Sequence, residues 1–183
     1  MDPIFEAYKQ ILRESIDLTN HKPKYAKEDK QAHLARLAYK KVQDYIDNGS
    51  RGYLDLSNTQ ITSLPDNLEV GGDLYLSDSK ITSLPDNLEV GGGLYLRNTQ
   101  ITSLPDNLEV GGGLFLDNTP ITSLPDNLNV GGGLNIRNTP ITSLPDNLKV
   151  GGVIYLRNTP ISKKYATEEL ERMLPGVRGN IKY

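Results

Sequence analysis

The 183-residue sequence contains no cysteine. Disulfides, thiolate zinc sites and a cysteine nucleophile are thereby excluded. Histidine is scarce: His21 and His33 are the only two. Both lie in the front segment without a partner at metal-ligand spacing, so they read as ordinary surface or helix residues. A Ser-His-Asp triad has no base to build on. No apolar run approaches the ~18 residues of a membrane-spanning helix, and the opening "MDPIFEAYKQ" lacks the basic segment and apolar core of a cleaved secretory signal. The expectation is a cytoplasmic chain, or one exported without such a signal.

A basic stripe is missing as well. Net charge is −3, with 9 basic and 8 acidic groups in residues 1–50, 5 and 12 in 51–150, and 6 and 3 in 151–183. The central body thus carries 5 − 12 = −7, which argues against phosphate-backbone binding and counterion release. The length suits one continuous body.

What the sequence does have is self-similarity. "GGGLYLRNTQITSLPDNLEV" at 91–110 is preceded by "GGDLYLSDSKITSLPDNLEV" and followed by "GGGLFLDNTPITSLPDNLNV", a period of 20 residues. Each unit can be written G-G-x-L-x-L-x-x-T-x-I-T-S-L-P-D-N-L-x-V. Units begin at Arg51, Gly71, Gly91, Gly111, Gly131 and Gly151, and the sixth diverges after Ile161. Alternation over Leu94, Tyr95 and Leu96 predicts one short strand per unit, leucine inward and tyrosine outward. Pro105-Asp106-Asn107 predicts a tight turn or a single 3₁₀ turn, and the Gly111-Gly112 pair is expected to supply φ > 0 where the chain returns to the next strand. Units of this kind stack into a solenoid, each coil forming the floor of the next, so that core letters agree between neighbours.

The pattern "L-x-L-x-x-T-x-I-T-S-L-P" resembles the leucine-rich-repeat signature L-x-L-x-x-N-x-L-x-x-L-P. Its period is similar to that of the short bacterial repeats in type III secreted effectors, here without the cysteine that their ligase domains use. The resemblance covers 51–161 and implies an α/β solenoid: a coil stack with a parallel β-sheet on its concave face and short turn or 3₁₀ returns. The family's inward asparagine is replaced by Thr59, Ser79, Thr99, Thr119, Thr139 and Thr159. A hydroxyl has one donor where an amide has two, so a thinner buried ladder is expected.

A solenoid must cover its ends. Residues 1–50 are read as an N-terminal helical hairpin cap. Asp2-Pro3 starts a helix over 3–17, with Ile4, Tyr8, Leu12 and Ile16 on one face. A second helix near 25–48 presents Leu34, Ala38, Val42 and Tyr45 and stops at Asn48-Gly49. Residues 162–183 are read as a C-terminal helix-strand cap. Thr167 caps a short helix carrying Glu168 and Glu169 in its first turn, and Leu174-Pro175-Gly176 ends it. "VRGNIKY" then repeats the spacing of "VGGVIYL", aligning Val177 with Val150 and Ile181 with Ile154 as a terminal strand. Arg178 and Lys182 there discourage edge association.

No arrangement suggests catalysis, a cofactor or a metal. Asp66, Asp86, Asp106, Asp126 and Asp146 form a column of like carboxylates in like surroundings, whereas acid-base work needs two different environments. The glycine triplets precede a strand, not the helix that a phosphate loop requires. The letters that change point to binding. One outward strand column reads Asp55, Tyr75, Tyr95, Phe115, Asn135, Tyr155, and the column two residues on reads Ser57, Ser77, Arg97, Asp117, Arg137, Arg157. Candidate ligand-binding residues are therefore Tyr75, Tyr95, Arg97, Phe115, Asp117, Asn135, Arg137, Tyr155 and Arg157, an aromatic column beside an arginine-rich one. A cross-strand aromatic ladder serving stability alone fits the same letters. The expected function is a non-enzymatic, monomeric protein- or peptide-binding module. A carbohydrate-binding module, or a structural protein of a bacterial or viral particle, are the alternatives.

Overall fold

The computed structural model describes residues 30–183 except Asn107 and Arg178. The helix expected over 3–17, the first residues of the one expected over 25–48, and the edge role given to Arg178 lie outside the described residues.

Helix α1, Lys30–Asp47, packs its C-terminal half on the first coil. Ala38, Tyr39 and Val42 are buried in the core cluster, and Tyr45 and Ile46 pack against it. The expected stripe is partly wrong: Leu34 is 39% exposed and Tyr39 only 5%. The first buried residue of the helix is Ala38, one turn after Leu34. Tyr39 fills the seam instead, its hydroxyl 3.3 Å from Thr62 Oγ1 and 3.1 Å from Ser63 Oγ. Tyr45 Oη donates to the Gly52 carbonyl at 3.0 Å, and Lys41 Nζ donates to the Asp55 carbonyl. The helix ends with Gly49 and Ser50 at φ 81° and 55°, and Ser50 N–H donates to the Tyr45 carbonyl, a left-handed C-terminal stop.

The solenoid carries two parallel sheets. The front sheet has seven two-residue strands in sequence order: Leu54–Asp55, Leu74–Tyr75, Leu94–Tyr95, Leu114–Phe115, Leu134–Asn135, Ile154–Tyr155 and Ile181–Lys182. Register is strict, Leu74 opposite Leu94 and Tyr75 opposite Tyr95. The back sheet, which the sequence analysis takes as turn or 3₁₀ return, has five strands: Glu69–Val70, Glu89–Val90, Glu109–Val110, Asn129–Val130 and Lys149–Val150. Among the described residues no 3₁₀ turn occurs. The return is extended because each x-Val pair lies in register with the same pair of the adjacent coil, which satisfies its backbone N–H and C=O groups. Between the sheets each of the first four coils buries six apolar side chains, such as Leu94, Leu96, Ile101, Leu104, Leu108 and Val110, and in the fifth Leu144 is only partly buried.

The glycine pairs do a different job from the one expected. Among the described glycines only Gly49 and Gly52 have positive φ. A Cβ on Gly91 would sit 2.5 Å from the Gly71 oxygen, and one on Gly92 2.7 Å from the Gly72 carbonyl carbon. Glycine is required because successive coils touch backbone to backbone, with Gly91 N–H donating to the Val70 carbonyl at 2.8 Å and Gly92 N–H to the Gly72 carbonyl at 2.9 Å. Where the chain leaves each front strand the left-handed residue is Asn58, Asp78, Asn98, Asn118, Asn138 or Asn158, with φ from 56° to 62°, and Asn67 and Asn87 in the Pro-Asp-Asn turns are left-handed as well, at 56° and 57°. Asparagine and aspartate tolerate that region best among non-glycine residues.

These asparagines form the inter-coil amide ladder. Asn158 Nδ2 donates to Asn138 Oδ1 at 2.8 Å, Asn138 to Asn118 at 2.7 Å, Asn118 to Asn98 and Asn98 to Asp78 at 2.9 Å. The adjacent buried Thr99, Thr119, Thr139 and Thr159 each donate to the carbonyl three residues earlier in their own coil, at 2.6–2.7 Å. The ladder is thus displaced one residue outward, onto exposed side chains.

Beyond the sixth front strand, helix α2, Pro160–Lys164, starts on Thr159, whose Oγ1 accepts from Ser162 N–H at 3.2 Å; the sequence analysis does not anticipate it. Helix α3 spans Thr167–Met173 with Glu168 and Glu169 in its first turn, but its N-cap is Ala166, without a side-chain bond, and Thr167 is already helical. Val177 then bridges Val150, and Ile181–Lys182 pairs in parallel with Ile154–Tyr155, the alignment read from "VRGNIKY". Ile161, Leu170, Leu174 and Ile181 join the core.

Candidate binding face

Strand alternation puts residues two apart on one side of the front sheet, and in-register stacking turns each such position into a column at about 4.8 Å spacing. The central column contains a stack of rings. Tyr75 and Tyr95 have centroids 4.5 Å apart with planes 17° from parallel; Tyr95 and Phe115 are 4.6 Å apart and 6° from parallel. Tyr53 extends it edge-on to Tyr75, at 6.3 Å and 79°.

The rings lean back over the residue two positions earlier. A Cβ on Gly93 would lie 2.8 Å from Tyr95 Cε2, and one on Gly113 2.8 Å from Phe115 Cε2, so the third glycine of each triplet is the seat of a ring. At Tyr75 that position is Asp73. Its Oδ2 accepts from the Tyr75 hydroxyl at 2.9 Å, and its Oδ1 accepts from Gly93 N–H at 2.6 Å. The hydrogen bond to Asp73, followed by burial and the nearby negative charge, pushes the Tyr75 phenol up to about 12. Tyr53 and Asp73 are therefore part of this face although the sequence analysis omits them. Their signal was present: both stand two residues before an outward position, where alternation returns a side chain to the same side.

The remaining predicted residues form two contact groups, with Arg157 in neither. Arg97 Nε pairs with Asp117 Oδ2 at 3.1 Å, and Asn135 Nδ2 donates to Asp117 Oδ1 at 3.0 Å, so these three brace one another beside the rings. Arg137 places its guanidinium 4.3 Å from the Tyr155 ring centroid, a cation-π contact. Arg157 and Lys182 are exposed at the far end. Tyr155 is separated from the stack by Asn135, its register neighbour.

The arrangement offers contact area and charge. Among the described residues no group of His, Asp or Glu is placed to hold a metal ion, and the Asp66, Asp86, Asp106, Asp126 and Asp146 column is uniformly exposed. Glu69 and Asn129 lie in back-sheet strands, on the return that the sequence analysis expects to be a turn. No helix among the described residues is long and apolar enough to cross a membrane. Comparison with protein-family models finds no match, and comparison with curated proteins finds none either.

Proposed function

We propose that this chain is a non-enzymatic protein- or peptide-binding module that uses the front sheet of a short leucine-rich-repeat solenoid. On this reading α1 covers the first coil, and the described residues of 162–183 cover the last. The observation that carries it is the ring stack Tyr75, Tyr95 and Phe115, flanked by the braced Arg97–Asp117 pair. Aromatic and arginine side chains held rigid before binding lose little entropy on association, which suits them as anchors.

Ring orientation favours a protein ligand over a sugar. Saccharides stack on exposed ring faces, whereas here the faces of Tyr75 and Tyr95 are turned to one another and to Phe115, leaving edges outward. The test is selection of random twelve-residue peptides on the folded protein, repeated on Tyr95→Ala. Losing an anchor typically costs 2 kcal/mol or more, about thirtyfold in affinity. Enriched peptides should lose at least that much on Tyr95→Ala and little on Glu69→Ala or Asn129→Ala, which change the back sheet. The reverse ranking, or enrichment only on a glycan array, sinks the proposal.

A further inference from the structure

The charges of the front sheet follow an order that is its own complement. Taken one repeat unit at a time, the outward and edge side chains of this face carry Asp55, then Asp73 and Asp78, then Arg97, Asp117, Arg137 and Arg157. The signs of the six units run negative, negative, positive, negative, positive, positive. Read backwards, every sign is reversed. The face also has low relief, since Tyr95 and Phe115 lean back over Gly93 and Gly113, Arg97 is tied to Asp117, and Arg137 lies on the Tyr155 ring. Neighbouring coils stay close on the other side of the solenoid as well, through the back-sheet pairs and through Asn87 Nδ2, which donates to Asn67 Oδ1 at 3.2 Å. The front sheet is therefore not drawn into a deep concavity that would hold a second flat face away.

We infer that the front sheet binds a second copy of this chain, coils antiparallel, about a two-fold axis that runs parallel to the strands between Leu94–Tyr95 and Leu114–Phe115. This rests on the reading of the front sheet as the binding face and names its partner, where the sequence alone is read as a monomer. Such an axis reverses the order of the coils and keeps the direction of the strands, so unit one meets unit six, two meets five and three meets four. Asp55 then faces Arg157, Asp73 and Asp78 face Arg137, and Arg97 faces Asp117, each pair occurring twice. Tyr95 meets Phe115 at the centre, which gives an apolar middle inside a charged rim. Arg157, exposed and without an acidic partner among the described residues, gains one. An unrelated peptide would have to reproduce this order of charges, whereas the chain's own face already has it. Six strands at ~4.8 Å, by ~17 Å from Tyr53 to Asn58, give about 500 Å² from each copy. That is the low end for a specific interface, so the pair is reversible and forms with concentration.

The test is sedimentation of the full chain over a concentration series from about 1 µM to about 1 mM. The mass should rise from 20.2 kDa toward twice that, and the rise should shrink in high salt. Asp55→Lys and Arg157→Glu should each weaken self-association at least tenfold, because each sets like charges opposite one another at both ends of the pair. Mixed together, the two variants should pair with each other as tightly as the parent does with itself, since the substituted positions then face one another with opposite charge. Recovery on mixing is a result that damage to either fold cannot produce. Should either variant fold poorly, Ser77→Glu, which sets a carboxylate opposite Arg137 of the second copy, must tighten the pair at least threefold. A chain that stays monomeric throughout, or variants that self-associate like the parent with no gain on mixing, overturns the second copy as partner. Peptide selection that Tyr95→Ala abolishes then leaves the face reading standing, with a peptide as the occupant; failure of both experiments overturns the face as well.

Discussion

Asparagine carries an amide NH₂ donor group where aspartate has only acceptors, and at residue 78 that difference ends the amide ladder. Asp78 accepts from Asn98 but has nothing to donate toward Asn58. Asp78→Asn keeps the left-handed preference, adds the missing link and removes an exposed charge, so stability should rise by about 0.5–1 kcal/mol, the low end for a hydrogen bond at an exposed site. Asn118→Asp removes a donor from the middle of the ladder and should cost about as much. Thermal melts of the two variants check both signs. Tyr75 supplies a pH test. Its phenol is raised to about 12 by Asp73 and its surroundings, so the folded protein holds that proton in a range where the unfolded chain, near 10, has lost it. Stability from this group is complete below about pH 10 and is lost as pH rises toward 12. Denaturant midpoints measured across that range should fall more steeply for the parent than for Tyr75→Phe.

The repeat letters reveal the front strand because three residues of alternation, Leu94-Tyr95-Leu96, are enough for a period of two to show. The back strand stayed hidden because Glu109-Val110 is too short to alternate, and its extended form comes from the coil above and below. The glycines misled for a related reason. Composition suggests conformational freedom, while the structural need is backbone contact between residues 20 apart, which no local pattern contains. That contact is testable. Gly91→Ala would push a methyl group against the Gly71 carbonyl, 2.5 Å from where Cβ must sit, and should destabilise by about 1–3 kcal/mol, as overpacking does. A need for positive φ alone would make Gly91→Asn better tolerated than Gly91→Ala; the steric account predicts the reverse order. On the front-sheet face, sequence alternation placed all nine candidate residues in columns on one surface and left out Tyr53 and Asp73, while the bracing of Arg97 by Asp117 and the seating of rings on Gly93 and Gly113 depend on neighbouring coils. Helix α1 belongs here too. Removing residues 1–48 would uncover Leu54, Leu56 and Leu64, now 0–2% exposed, so fragment 49–183 should aggregate or lose its cooperative melt. An unchanged melting temperature would show that α1 is an ornament to the solenoid and not part of its core.

A stack of near-identical coils also stacks its charges, and this sets how the whole molecule responds to ions. On the back sheet Glu69 faces Glu89 and Glu89 faces Glu109 in register, all exposed, before the column changes to Asn129 and Lys149. The exposed aspartates at 66, 86, 106, 126 and 146 add a second acidic column. Two like charges ~5 Å apart repel by about 0.8 kcal/mol in water, and parallel coils cannot escape this, because the register that pairs the valines also pairs the glutamates. Glu89 has two such neighbours, so Glu89→Lys converts two repulsions into two attractions. For exposed pairs worth about 0.2–1 kcal/mol each, the gain should be about 1–3 kcal/mol at low ionic strength. It should shrink as salt rises, since the Debye length falls to about 8 Å near 0.15 M. Asp106→Asn, which relieves repulsion without creating attraction, should gain less and lose its advantage in the same salt range. Melting curves of the parent, Glu89→Lys and Asp106→Asn at low and high sodium chloride separate the contributions, and calcium at matched ionic strength separates screening from binding. Equal shifts in calcium and sodium mean that the acidic columns are a cost of repetition that solvent screens. A larger shift in calcium, abolished by Asp106→Asn and kept by Glu89→Lys, would mean that the aspartate column holds the ion.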